Sequence, residues 1–120
     1  MQYLFLIYAD EAVMRTWSEE DMYRCLGEAA ESEERLKRGG HLVVAHGLEW
    51  ASQATTLRKN SGKLISTDGP FAETKEQLLG FFLVNAQDRA EALALAEGLP
   101  MLETSTVEVR AVEDPAAADA

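Results

Sequence analysis

The chain has 120 residues, 47% of them hydrophobic, and a formal charge of −10 from 21 acids against 11 bases. That length suits one domain with a single modest core, and that composition is globular rather than disordered. The acidic balance argues against a general nucleic-acid binder, which needs a basic face to neutralise phosphates, and apolar runs of about six residues fall far short of a membrane span.

Taken in chain order, Tyr3–Tyr8 (YLFLIY) is apolar at every position, so as a strand it offers both faces to apolar neighbours. It lacks the basic segment and small-residue cleavage site of a signal peptide, and a cytoplasmic protein is expected. DEAVMRTW follows as a connection. SEEDMYRCLGEAAESEERLKRGG then predicts a long helix, with Ser18 as N-cap, Asp21 in the capping-box place, and Gly39-Gly40 as the stop. Met22, Cys25, Leu26, Ala29, Ala30 and Leu36 form its apolar stripe. The lone cysteine, Cys25, rules out an internal disulfide.

HLVVAHGL reads as a second strand. ATTLRK, NSG and KLIST read as a hairpin with a three-residue loop, Gly62 supplying a positive φ. LLGFFLVNA is another strand apolar on both faces. Asp88 caps a short helix, RAEALALAEG, with Glu91 three residues on, and STVEVRAV closes the fold. One domain over residues 1–113 is expected, with 114–120 as a flexible C-terminal tail.

This order predicts an α+β fold: a mainly antiparallel sheet with two helices on one face and an inserted β-hairpin. Two helices cover only one sheet face, yet three strands are apolar on both. The uncovered face needs a partner, and at this chain length a second copy is preferred to a cofactor pocket, so a homodimer is expected.

The stretch TDGPFAETKEQLLGFFLV, Thr67–Val84, concentrates the ionisable chemistry. Asp68-Gly69-Pro70 forms a tight turn, and Phe71 is expected to bury its ring and hold the loop down. Glu73, Lys75 and Glu76 follow, either as a salt-bridged loop or as acids and a base at the mouth of a cleft. His46, near the end of the second strand, would approach Asp68 if the hairpin folds beside that strand, giving an oriented general base. Arg58, Lys59 and Lys63 crowd the hairpin. They suit a carboxylate or phosphate, Arg58 by a bidentate grip, or else a charged tip that discourages edge pairing. Trp17 and Trp50 cover core ends or wall a ligand cleft. The catalytic candidates are therefore His46 and Asp68, and the ligand-binding candidates Arg58, Asp68, Phe71, Glu73, Lys75 and Glu76. No zinc-like ligand spacing or nucleophile elbow is present, so neither a metal nor another cofactor is expected.

DGPFAETKEQLLGFFLV, together with ATTLR, NSGKLISTDGPF and the closing VEVRAV, resembles the DGPF branch of the YCII-related family over about Met1–Val112. Leu79-Gly80 stands where that branch often has Gly-Gly. The resemblance implies a ferredoxin-like fold and a dimeric α/β barrel, and no particular reaction. It also implies a regulatory setting, since such proteins occur beside or fused to alternative sigma factors. Three functions stay open: a homodimeric small-molecule-binding or regulatory module, a module that meets a protein such as a sigma factor, and a small acid–base enzyme using His46 and Asp68. The first two together outweigh the third, because no complete catalytic constellation is present.

Overall fold

The computed structural model describes residues 1–114. The elements run β1 (Gln2–Ala9), α1 (Glu11–Met14), α2 (Glu19–Arg38), β2 (Leu42–Gly47), β3 (Thr55–Asn60), β4 (Lys63–Asp68), β5 (Gln77–Asn85), α3 (Arg89–Glu97) and β6 (Thr106–Ala111). Short 3-10 helices at Ala51–Gln53 and Pro100–Glu103 complete the chain. Except for Asp114, the expected C-terminal tail lies outside the described residues.

β2, β5, β1 and β6 form a four-stranded sheet in that order, with every neighbouring pair antiparallel, while β3 and β4 pair only with each other. The architecture is α+β and compatible with a ferredoxin-like arrangement. Tyr3, Phe5, Ile7, Phe82 and Val84 alternate along the central strands and share one buried cluster with Leu36 of α2 and Ala92 and Ala96 of α3. Phe5 and Val84 have no exposure at all. Truncating a buried ring such as that of Phe5 to alanine typically costs about 3–5 kcal/mol. The alternate set, Leu4, Leu6, Phe81 and Leu83, is half-buried and aligned by the pairs Leu4–Leu83 and Leu6–Phe81.

The helix ends follow their sequence signals. Ser18 Oγ accepts the Asp21 N–H at 3.1 Å, and Asp88 Oδ1 accepts the Glu91 N–H at 2.9 Å. These bonds satisfy donors that the first helical turn leaves unpaired. The connection after β1 is itself partly helical: Asp10 accepts from the Val13 N–H and starts α1.

Other expectations are corrected. The α2 stripe is narrower than its composition suggests. Leu36 is buried and Met22, Cys25 and Ala29 are half-buried, but Leu26 is 62% exposed and Ala30 is also exposed. In their place Ser32 is fully buried; its hydroxyl donates to the Glu28 carbonyl and accepts the Met101 N–H, tying α2 to the second 3-10 helix. The hairpin loop has two residues rather than three, because Asn60 pairs with Lys63. Ser61 and Gly62 both take positive φ, 53° and 80°, the signature of a type I′ turn whose twist matches the strands.

Candidate functional site

A cleft of about 510 Å³ lies where α2 faces the β2–β5 side of the sheet. Its walls are mostly apolar. Met22, Cys25, Leu26 and Ala29 come from α2, Ile7 and Phe82 from the sheet, and Met14 and Trp50 from the flanking segments. Glu33, His46 and Glu49 are the strongly ionisable residues of the lining, His46 from the β2 edge, where it pairs with Phe81 on the sheet face opposite Phe82, and neither lysine nor arginine is in the lining.

The floor depends on one glycine. A Cβ placed on Gly80 would stand 2.7 Å from the His46 carbonyl oxygen and 3.2 Å from the Gly47 Cα, so β2 and β5 approach more closely than a side chain permits. Beside it the β1–β5 register slips between Ile7 and Tyr8, which pair with Gly80 and Leu78 and leave Leu79 as the extra residue. The Leu79 carbonyl then accepts the Leu48 N–H at 2.7 Å, carrying the chain from β2 past the cleft mouth.

Trp50 is held from behind. The buried Glu11 carboxylate accepts the Ala51 N–H at 2.7 Å, Arg15 donates to Ser52 Oγ at 2.9 Å, and the Arg15 guanidinium lies 5.3 Å from the Trp50 ring centroid. A cation over the indole face and a backbone N–H held by a carboxylate fix both the ring and the segment bearing it. This support is not visible in the sequence, because Glu11 and Arg15 are separated from Trp50 by α2 and β2. Met22, Cys25 and Ala29 did carry a signal, an apolar helical stripe, but periodicity does not distinguish a packed face from a cleft wall.

Of the sequence candidates, His46 lies in the cleft lining, with its ring edge-on to Phe81 at 5.9 Å between centroids. The others lie elsewhere. Asp68 is exposed on β4, opposite Thr55, and Arg58 is exposed on β3, opposite Ile65. Among the described residues no hydrogen bond joins His46 to Asp68. Glu73, Lys75 and Glu76 are exposed and form no ion pair with one another. That loop is held by hydroxyl and amide bonds instead: Thr74 Oγ1 donates to the Glu76 carbonyl at 2.6 Å, and Thr106 Oγ1 donates to Glu76 Oε1 at 3.0 Å.

Phe71 is corrected outright. It is 77% exposed, so its ring is not buried against the described residues. The Asp68-Gly69-Pro70 turn is held by hydrogen bonds to the Gly69 backbone instead: the Gly69 N–H donates to the Ala54 carbonyl at 2.6 Å, and the Thr56 hydroxyl donates to the Gly69 carbonyl at 2.8 Å. Gly69 takes φ +99°, which favours glycine. His41, at the helix-to-strand connection, donates from Nδ1 to the Asn85 carbonyl at 2.9 Å. No group of three or more His, Cys, Asp or Glu among the described residues is placed to hold a metal ion, and no helix there is long and apolar enough to cross a membrane.

The family model for the YCII-related domain matches residues 1–115. The chain belongs to the YCII-related family. A relative from Rhizobium meliloti (strain 1021) is 40% identical over 106 residues, 88% of this chain and 86% of that protein, and is described as an uncharacterised protein. The assignment is thus one of family, and the chemistry of this YCII-related protein has to be argued from its cleft.

Proposed function

We propose that this YCII-related protein, of the DGPF branch, is a cytoplasmic homodimer that binds a small, largely apolar molecule without an acid group, in a regulatory rather than a catalytic role. The observation that carries the reading is the cleft. An apolar volume of about 510 Å³, walled by a fastened tryptophan and edged by His46, Glu33 and Glu49, is of ligand size. With two carboxylates and no lysine or arginine in the lining, a carboxylate or phosphate ligand would meet like charge, whereas a neutral or amine-bearing ligand would not. The two helices pack on one sheet face in this reading. The half-buried set Leu4, Leu6, Phe81 and Leu83 is the face offered to the second copy, as in a dimeric α/β barrel.

The test uses a Trp17→Phe background, in which Trp50 is the remaining indole. Aryl and alkyl amines and alcohols are titrated beside carboxylic acids of the same skeleton, following Trp50 emission and thermal melting. The amines and alcohols should shift the emission and raise the melting temperature, since ligand at a hundredfold its Kd adds about 2.7 kcal/mol to apparent stability. Ala29→Phe, which fills the cleft without adding an indole, should abolish both effects. Tighter binding of the acids, or binding that survives Ala29→Phe in a folded protein, overturns the reading.

A second reading, a module for a protein partner such as a sigma factor, is favoured by the exposed Phe71 and the solvated Glu73–Glu76 stretch. An acid–base enzyme would have to work from His46 without the support of Asp68.

A further inference from the structure

Sulfur is concentrated at the cleft. The chain has four methionines and one cysteine, and Met14, Met22, Met101 and Cys25 all line it, leaving only Met1, which is exposed. Met22 and Cys25 lie three residues apart on α2, the spacing of neighbours on one helix face. The second 3-10 helix brings Met101 to them: Cys25 Sγ is 3.7 Å from Thr104 Oγ1, and the Thr104 N–H donates to the Met101 carbonyl at 3.1 Å. Met14 is buried at the cleft yet stands outside the core cluster, so the sheet–helix core does not account for it.

These walls discriminate in a way that alkyl walls do not. An alkyl wall reads buried apolar area, so it takes a saturated ring at least as well as a flat one. Polarisable sulfur packs favourably against an aromatic ring, often at its edge with the sulfur about 5 Å away. An indole adds to the preference, since aromatic pairs gain beyond their area when offset or edge-on. The Trp50 face also suits a cation, but Arg15 already stands 5.3 Å from its centroid, and a second positive charge there would meet the first. A ring, not an ammonium, therefore belongs against Trp50. The α2 side of the lining continues through Ala29 and Ala30 to Glu33. Two small side chains leave room there, and the carboxylate stands about two turns beyond Cys25.

We propose that the ligand of the cleft is an arylalkylamine, its flat ring held between Trp50 and the sulfurs of Met22, Cys25 and Met101, and its amine directed along α2 to Glu33. The proposal rests on the cleft reading and narrows it from apolar amines and alcohols to one chemical class.

The test compares 2-phenylethylamine with 2-cyclohexylethylamine by isothermal titration calorimetry on the full chain. The cyclohexyl ring is larger and more apolar, so a cleft that reads area alone prefers it. The phenyl compound should instead bind at least about threefold tighter, the effect of one sulfur–ring contact. Met22→Leu/Met101→Leu keeps the volume of the wall and removes two thioethers. There the preference should fall below threefold through weaker phenyl binding, with cyclohexyl binding within twofold of wild type. Met22→Leu, on a half-buried position, carries the same comparison if the double variant does not fold, and should at least halve the preference. Glu33→Gln should weaken both amines alike. A wild-type preference below threefold overturns the proposal, as does a preference that folded sulfur variants leave undiminished or amine binding that Glu33→Gln leaves unchanged. In each of these cases amine binding that Ala29→Phe blocks keeps the cleft reading standing. If neither amine binds, both fall.

Discussion

Ser32 illustrates how much a single buried polar side chain can decide. Its hydroxyl donates into its own helix and accepts the Met101 N–H at 3.3 Å, both sites being buried. Ser32→Ala should cost about 1–2 kcal/mol by leaving that N–H without a partner, measured as a fall in the urea midpoint without a change in m. Tyr8 makes a prediction in pH. Burial, and then the neighbouring Glu108, whose carboxylate accepts its hydroxyl at 3.4 Å, raise its phenol above the ordinary 10.0, with Arg110 opposing. A raised folded-state value means that the folded protein holds this proton more tightly than the unfolded chain. The stabilisation is therefore complete below the ordinary value and lost as pH rises through the folded one. Between about pH 9 and pH 11, Tyr8→Phe should flatten the decline of the urea midpoint, and parallel declines in the two proteins would rule out the contribution.

Among the elements, the β2–β5 pair and the β3–β4 hairpin respond in opposite ways. Gly80→Ala sets a Cβ 2.7 Å from the His46 carbonyl, and the obstacle is backbone, which yields less easily than a flexible side chain. It should cost about 1–3 kcal/mol, and by shifting β2 it should weaken ligand binding in the cleft by more than the stability loss explains. The hairpin should tolerate change at its base. Asp68 is exposed, and its position in the hairpin is set by pairing with Thr55. Asp68→Asn should therefore change stability by less than about 0.5 kcal/mol and leave binding in the cleft unaltered. A loss of binding in a well-folded Asp68→Asn protein would return this carboxylate to the site.

For the whole molecule, the alternation along β5 separates core from proposed interface. Phe82 is 6% exposed within the core cluster, whereas Leu83 is half-buried in the alternate set. Phe82→Asp should unfold the domain. Leu83→Asp should leave far-UV circular dichroism intact while light scattering at micromolar concentration falls from the dimer to the monomer mass. A radius of gyration of 16.6 Å, against about 14 Å for a compact chain of this length, is consistent with a hairpin standing off the sheet.

Element order, both main helix caps and the strand pairing of the hairpin were legible in the sequence, because each rests on local chemistry: Ser18 and Asp88 as caps, period-two and all-apolar strands, and a Gly62 turn. The DGPF stretch likewise pointed to the family, since a run of that kind is specific. The cleft was not legible. Leu26 and Ala30 carry the same apolar periodicity as Leu36, and only the packing of α2 leaves two of them exposed and one buried. Phe71 has the composition of an anchor and the exposure of a surface residue, because where a ring goes depends on what the rest of the fold brings to meet it. Trp50 gains its support from Glu11 and Arg15 only when β1 and its connection fold back beside the segment after β2. Local propensity is written along the chain; a cleft belongs to surfaces distant in sequence, and tertiary contact alone decides which of them face each other.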